Sequence, residues 1–427
     1  MGDSLVSVFW GDGAQSTRRG LPRFNPISTG CGEKPVDNRV TTGYVDGMTE
    51  GGDFEIFLVT APGLESALCA EAQAAGFRAP KAVKGGVTVT GGWPEVWRAN
   101  LELRGASHVF ARIAEFRALH LAQLDKRARK LAWGEFLRKD VPFRVEASCK
   151  HSRIYHQRAA AQRIENAIKD QLGAPLSPDA ELCIKARIED DLCTLSVDTS
   201  GESLHKRGHK EAVAKAPMRE NLAALFLRQC GYDGTEPVVD PMCGSGTFVI
   251  EAAEIAAGLK PGRSRHFAFE QLAGFDAAAW QRLKGADGRK GKSSGSDGSG
   301  PALRFYGSDR DAGAIQMSRA NAERAGVAAS TDFRQHAISD LVAPEGPPGL
   351  VIVNPPYGGR VGDRKALYPL YNALGQTLRS RFAGWRVGLV TNDASLAAAT
   401  GLPFGPPAGS VSHGGISVTL FLTGLLA

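Results

Sequence analysis

Pro237-Val-Val-Asp240-Pro241-Met-Cys243-Gly244-Ser-Gly246-Thr247 is the stretch that decides how this chain folds. Val238-Val239 predicts a short apolar strand, the glycines predict a tight turn, and Phe248 to Ala257 predicts the helix that follows. Strand, glycine turn and helix in that order open a doubly wound α/β sheet, where ligands settle over the carboxyl ends of the strands. Working outward, a helical stretch from Met218 to Gln229 leads into the turn. Further strands are predicted at Leu303 to Ser308, Gly349 to Val353, Arg386 to Val390 and Ile416 to Leu422, with helices between several of them. That alternation implies a mostly parallel sheet. Gly285 to Gly300 reads as a flexible low-complexity insertion within it.

Upstream, the text is mixed α and β. Strands are predicted at Phe54 to Thr60, Gly86 to Thr90, His108 to Phe116, Phe143 to Ala147, Leu182 to Ile188 and Cys193 to Thr199. Helices are predicted at Gly63 to Ala75, Trp93 to Leu103, Leu121 to Phe136 and Tyr155 to Leu172. One or two small α+β units are therefore expected ahead of Gly201. Residues 1–52 mix Gly, Ser, Thr and Pro without periodicity and are expected to be disordered, with Met48 a candidate natural start.

Composition excludes several classes. With 43% hydrophobic and 22% charged residues among 427, the chain can build large cores, yet no apolar run approaches a membrane span. Nothing at the N-terminus resembles a secretory signal, so the expected location is cytoplasmic. The seven cysteines include no C-x-x-C pair, which argues against a disulfide framework and a zinc knuckle. The net charge is +6, but between Arg117 and Lys169 there are 13 Lys/Arg against 5 Asp/Glu. A local basic excess of this kind suits a polyanion, because neutralised phosphates release counterions. A solvated basic surface would look the same.

The chemistry lies after three strands. Glycines at 244 and 246 let backbone approach a ligand, whereas a dinucleotide fingerprint would need a third glycine where Val249 stands. Gly307-Ser-Asp309-Arg-Asp311 follows the next strand, and an acid there can accept ribose hydroxyls; Asp311 also suits a helix N-cap. Asn354-Pro355-Pro356-Tyr357 follows the apolar run Leu350 to Val353. Two prolines fix the backbone, so the Asn354 side-chain oxygen and the Pro355 carbonyl can accept both hydrogens of an amino group. Tyr357 offers a flat face for a base. The amino group of guanine or adenine is a poor nucleophile, and holding both N–H bonds turns its lone pair toward an incoming methyl. With a sulfonium donor, alignment dominates and no metal is required.

In these motifs the sequence resembles the class I amino-methyltransferases. Leu204-His205-Lys206-Arg207-Gly208 and Ala216-Pro-Met-Arg-Glu-Asn-Leu-Ala223 are similar to the THUMP-containing rRNA guanosine N2-methyltransferases. The resemblance runs from about Phe54 to the C-terminus. It is strongest to the amino-terminal half of the bacterial bifunctional large-subunit rRNA methyltransferases, without the second methyltransferase of those longer proteins. It implies a Rossmann-like methyltransferase domain over 201–427, a THUMP RNA-binding domain over 104–200 and a ferredoxin-like unit over 53–103. It also implies S-adenosylmethionine as cofactor, held by Asp240, Pro241, Cys243, Gly244, Gly246, Thr247, Asp309 and Asn354, with Asn354 to Tyr357 taking the target amino group. One departure stands out: where such enzymes place an acid for the adenine amino group, this chain has Gln335 and His336.

The expected RNA contacts are Lys126, Arg127, Arg129, Lys130, Lys150, Arg153 and Arg158, beside Tyr155 and His156 as stacking partners, with His205, Lys206 and Arg207 placed to hold the target's phosphate. An apolar stripe of Ile154, Ala161, Ile164 and Ile168 would equally make the helix an ordinary amphipathic one. The reaction class expected is N2 methylation of guanosine in large-subunit rRNA. The rivals are a tRNA guanosine, DNA adenine N6, or an inactive RNA-binding scaffold. Nothing in the sequence asks for an obligate protein partner.

Overall fold

The computed structural model describes residues 52–210, 218–286, 304–357, 364–413 and 415–427. The expectations for residues 1–51, including Met48, and for the insertion from residue 287 onward lie outside the described residues.

The N-terminal strands form one seven-stranded sheet. Its strands are β1 (Phe54–Val59), β2 (Arg78–Val83), β3 (Gly86–Gly91), β4 (His108–Arg117), β5 (Phe143–Lys150), β6 (Leu182–Glu189) and β7 (Leu192–Asp198). They lie in the order β2-β3-β1-β4-β7-β6-β5. Four helices accompany them: α1 (Glu65–Ala74), α2 (Trp93–Glu102), α3 (Leu121–Ala128) and α4 (Gln157–Leu172). The two small units expected from sequence share a single sheet, because β4 pairs with β1 on one side and β7 on the other. A boundary between 103 and 104 therefore leaves β4 with the second unit while it still pairs with the first. Ile154, Ala161, Ile164 and Ile168 are all buried, so the stripe of α4 does pack inward.

Three sequence expectations shift here. The helix predicted over 121–136 stops at Ala128, because the buried Trp133 indole donates to the Ala128 carbonyl at 2.9 Å and a short 3-10 turn takes over. The helix predicted from Tyr155 begins at Gln157, with the His156 ring accepting the Ala159 N–H as an N-cap. β2 was not foreseen: it is an edge strand carrying Pro80 and mostly exposed, so it lacks the alternation of a half-buried strand.

The second sheet also has seven strands: β8 (Val238–Asp240), β9 (Phe305–Asp309), β10 (Thr331–Gln335), β11 (Leu350–Val353), β12 (Arg386–Thr391), β13 (Val411–His413) and β14 (Ile416–Leu422). Its order is β10-β9-β8-β11-β12-β14-β13, with the first five parallel and β14 antiparallel to both of its neighbours, β12 and β13. The helices are α5 (Glu220–Gln229), α6 (Thr247–Ala256), α7 (Ala277–Gly285), α8 (Ala312–Ala325), α9 (Arg364–Arg381) and α10 (Ala394–Ala399). This is the doubly wound, mostly parallel sheet expected from the sequence. Chain direction across the sheet reverses at β8, which sits between β9 and β11 and so opens a crevice at their carboxyl ends. β10 escaped the sequence reading because it shows a single buried residue, Phe333.

The two sheets share apolar core. Ile56 and Leu58 of β1 belong to the same buried cluster as Val238 of β8 and Phe248 of α6. Trp97 of α2 stacks on Phe269 at 6.0 Å and meets Phe275 edge-on at 5.7 Å, adding an aromatic seam between the halves.

Candidate active site

β8, β9 and β11 deliver Asp240, Asp309 and Asn354 to one edge of the sheet. Gly244 and Gly246 take left-handed backbone, with φ of 54° and 82°, a region open to glycine at no steric cost. Gly246 is the N-cap of α6. The turn is held from below and from the side. Cys243 N–H donates to the Ser308 carbonyl at 2.9 Å, and Gly244 N–H donates to Asp309 Oδ2 at 3.1 Å. Asp309 Oδ1 accepts the Asp311 N–H at 3.0 Å, and Asp311 caps α8 as expected by accepting the Gly313 N–H. Each Asp309 oxygen keeps a lone pair beyond these bonds, so the carboxylate can still accept hydroxyl donors.

Two residues of α8 that the motifs did not reveal complete the turn. Ser318 Oγ donates to the Gly244 carbonyl at 2.8 Å and Asn321 Nδ2 donates to the Ser245 carbonyl at 3.0 Å. Spaced i, i+3 on a helix, they share one face. A polar pair on a buried face was the available signal.

Among the other residues expected at the cofactor, three are built into the wall. Pro241 is buried. Cys243 is buried against Ser318, and burial pushes its thiol well above the ordinary range, which makes it an inert packing group. The buried Thr247 hydroxyl accepts from Lys210 Nζ at 2.8 Å. Asp240 is 2% exposed and accepts the Met242 N–H at 3.0 Å. Burial pushes its carboxyl up to about 8; the Met242 bond opposes this and the nearby Asp309 adds to it.

At the end of β11, Asn354 Oδ1 is shut off from solvent and has no hydrogen-bond partner among the described residues. An orphaned buried acceptor costs about 1–3 kcal/mol, so its presence in a crevice marks a place for a donor. The diproline corner is anchored by Tyr371 of α9, whose hydroxyl donates to the Pro356 carbonyl at 3.3 Å. No motif pointed to Tyr371. Pro355 is buried and Pro356 half-buried. Tyr357, expected to offer a flat face to a base, is only 7% exposed. Gln335 at the end of β10 donates to the Arg310 carbonyl at 3.1 Å, and His336 beside it is half-buried.

The expected RNA contacts divide into two groups. Lys126, Lys130, Lys150 and Arg158 are exposed, and no ion pair is formed by them among the described residues. Tyr155 is 82% exposed, and Arg153 is exposed while its backbone N–H donates to Asp191. The loop carrying them is pinned, since Ser152 Oγ donates to the Lys150 carbonyl and accepts the Asp191 N–H. Arg127 lies half-buried over the Phe116 ring.

Arg129 spends its charge on Asp125 and Asp170. Arg207 is 2% exposed and donates to the Leu204 and Arg104 carbonyls, so it cannot reach a phosphate. His205 is hydrogen-bonded to Ser203, and burial with neighbouring cations lowers its ring to about 4. Lys206 is exposed and pairs with Glu202.

Among the described residues no cluster of His, Cys, Asp and Glu could hold a metal ion, and no helix is long and apolar enough to cross a membrane.

Comparison with known proteins gives this geometry a family setting. A model of the RMKL-like methyltransferase domain matches residues 207–403. The RlmL ferredoxin-like domain matches residues 55–110 and the THUMP domain 120–198. Among solved structures, a possible methylase from Clostridium difficile 630 is 27% identical with a TM-score of 0.78, covering 88% of this chain and 99% of that one. SMU.472, a methyltransferase solved with SAH, is 27% identical with a TM-score of 0.77 over 88% of this chain and 99% of that one. A Listeria monocytogenes protein described as an N6-adenine-specific DNA methylase is 27% identical with a TM-score of 0.75, covering 89% and 97%. The chain thus carries ferredoxin-like, THUMP and methyltransferase domains in the RlmL-type arrangement.

Proposed function

We propose that this protein transfers a methyl group from S-adenosylmethionine to the N2 amino group of a guanosine in RNA, with large-subunit ribosomal RNA as the substrate. The observation that carries the reading is the orphaned Asn354 Oδ1, at the carboxyl edge of β11 and one strand from the glycine turn after β8.

S-adenosylmethionine supplies a methyl already activated on a sulfonium. The fit rests on this chain's own groups. The backbone of Gly244 and Gly246 comes close at the turn, and a β-carbon on Gly244 would meet nothing within 4 Å, so the space above it is open. Asp309 keeps acceptor capacity for ribose hydroxyls, and the buried Asp240 holds the Met242 N–H at the start of the turn. Asn354 Oδ1 and the Pro355 carbonyl accept the two N–H bonds of the target amine, which localises its lone pair and aims it. Tyr371 keeps the corner from turning away by holding Pro356. The proton lost after transfer leaves from an amine whose acidity rises once alkylated, so a strong base is not needed, and alignment supplies most of the rate.

RNA is favoured as substrate by the exposed cations around a THUMP domain and by Tyr155, a bare aromatic face set among them. The same corner would accept the amino group of adenine, which keeps DNA adenine methylation as the second reading, in line with the description of the Listeria relative. The deciding experiment incubates the protein with labelled S-adenosylmethionine and RNA or DNA from a strain lacking it, and digests the product for mass spectrometry. N2-methylguanosine supports the proposal; N6-methyladenine replaces it with the second reading.

A further inference from the structure

Arg104 follows α2 in the N-terminal half, but its side chain is spent on the other half. Nη1 donates to Glu251 Oε1 at 2.7 Å and lies 3.3 Å from Glu254 Oε2, both on α6, and Nη2 donates to the Leu259 carbonyl beyond that helix. The three side chains are 11%, 1% and 0% exposed. The backbone of Arg104 is engaged as well: its N–H donates to Glu71 Oε1 of α1 at 2.6 Å, and its carbonyl accepts Arg207 Nη2 at 2.7 Å. At the next residue, Gly105, a β-carbon would stand 2.4 Å from Leu225 Cδ2, so glycine is what lets this backbone press directly on α5.

Residues 199–210, the described part of the connection between the two halves, are tied down along their length. Arg265 donates to the Ser203 and Lys206 carbonyls at 2.9 and 3.1 Å, and Arg324 of α8 donates to the His209 carbonyl at 2.7 Å. Lys210 ends this stretch on Thr247 Oγ1, the first residue of α6. α6 therefore carries the glycine turn at its start and the carboxylates gripped by Arg104 one to two turns later. Glu251 also meets Arg207 at 3.4 Å and Glu254 also meets Arg263 at 2.5 Å, so Arg104 is the member of this buried cluster that reaches both carboxylates, and burial makes its grip directional.

We propose that Arg104 is a positioning residue that locks the N-terminal sheet to α6, so that RNA held on the exposed loop around Tyr155 meets the donor crevice at a fixed reach. The lock rests on the RNA-methylation reading for its consequence, but not for its existence. It places the dependence on the transfer step: RNA affinity belongs to the N-terminal surface and donor affinity to the turn, whereas turnover needs both in register.

The test compares the full-length protein with Arg104→Gln and Arg104→Lys. It measures kcat on an unmodified large-subunit rRNA transcript, Kd for that transcript, Kd for S-adenosylhomocysteine, and hydrogen exchange across residues 199–210 and α6. For Arg104→Gln the expected result is a kcat loss of at least tenfold with both Kd values within threefold, exchange at least tenfold faster in those segments, and partial recovery with Lys. Unchanged kcat overturns the proposal. So does a loss of kcat matched by an equal loss of both affinities, or failure of both variants to fold, since either makes Arg104 a stabilising residue only. If the parent protein methylates no RNA, the functional reading fails; the exchange measurement then decides the lock alone, and exchange that stays slow in both variants rejects it.

Discussion

Oδ2 of Asp309 accepts the backbone N–H of Gly244 at 3.1 Å, so the carboxylate that ends β9 is a structural member of the turn that follows β8. Two roles meet in one side chain: it shapes the glycine turn and keeps lone pairs for a ligand hydroxyl. Asp309→Ala should lower S-adenosylhomocysteine affinity by about tenfold to a hundredfold, the scale of one charge-assisted hydrogen bond of roughly 1.5–3 kcal/mol. Titration calorimetry reads this directly, and an unchanged Kd would remove Asp309 from the donor site.

Asn354→Ala separates stability from function. The Asn354 oxygen has no partner to lose, so stability to denaturant should stay within about 1 kcal/mol of the parent. Turnover should fall by roughly two to three orders of magnitude, as when a positioned polar group is removed from a reacting centre, with RNA affinity kept. Single-turnover kinetics beside filter binding checks both, and full turnover in the variant would discard the corner.

Asp240 sets a pH dependence whose sign is opposite to that of a paired carboxylate. Burial raises its folded value from 3.8 to about 8, so between those limits the folded chain holds a proton that the unfolded chain has released. The contribution of this group therefore makes stability fall as pH rises from about 4, levelling off above about 8. Asparagine reproduces the neutral acid and can still accept the Met242 N–H. Asp240→Asn should gain stability over the parent at pH 8.5 and lose that advantage at pH 4; urea unfolding at the two values would show a constant difference if the group were not buried as a neutral acid.

The exposed cations make a different prediction from the buried ones. Replacing Lys126, Lys130 and Lys150 by glutamine should weaken RNA binding and reduce the slope of log K against log salt by about two, if each neutralises a phosphate. Tyr155→Ala should cost about 1–3 kcal/mol of binding through lost stacking, with little change in that slope. Arg129→Gln should leave both nearly untouched, because its charge already answers Asp125 and Asp170. A slope that drops as much for Arg129 as for the lysines would contradict this division.

Much of this arrangement is legible in the sequence alone. Apolar runs bounded by glycine, proline and asparagine marked β8, β11 and the turn between strand and helix, because close backbone approach and a rigid corner each demand particular residues. β2 and β10 were not legible, since edge strands with at most one buried residue carry no alternating pattern. Within the Leu204 to Lys210 stretch Arg207 misled for a physical reason: a run of His, Lys and Arg reads as a phosphate grip, yet Arg207 is folded inward to satisfy two carbonyls and approach Glu251. Charge in a sequence says nothing about which partner will claim it.

By itself, then, the sequence determined most of the order of strands and helices, the glycine turn and the diproline corner, because each depends on backbone chemistry local to a few residues. Tertiary structure decided the rest. Only the parallel packing of β9, β8 and β11 put Asp309, Asp240 and Asn354 on one edge. Only long-range burial could leave Asn354 Oδ1 without a partner, move the Asp240 carboxyl to about 8, and turn Arg104 from a surface charge at the end of α2 into the tie that holds α6. Those outcomes come from desolvation and from contacts between residues more than a hundred positions apart, which no local pattern encodes.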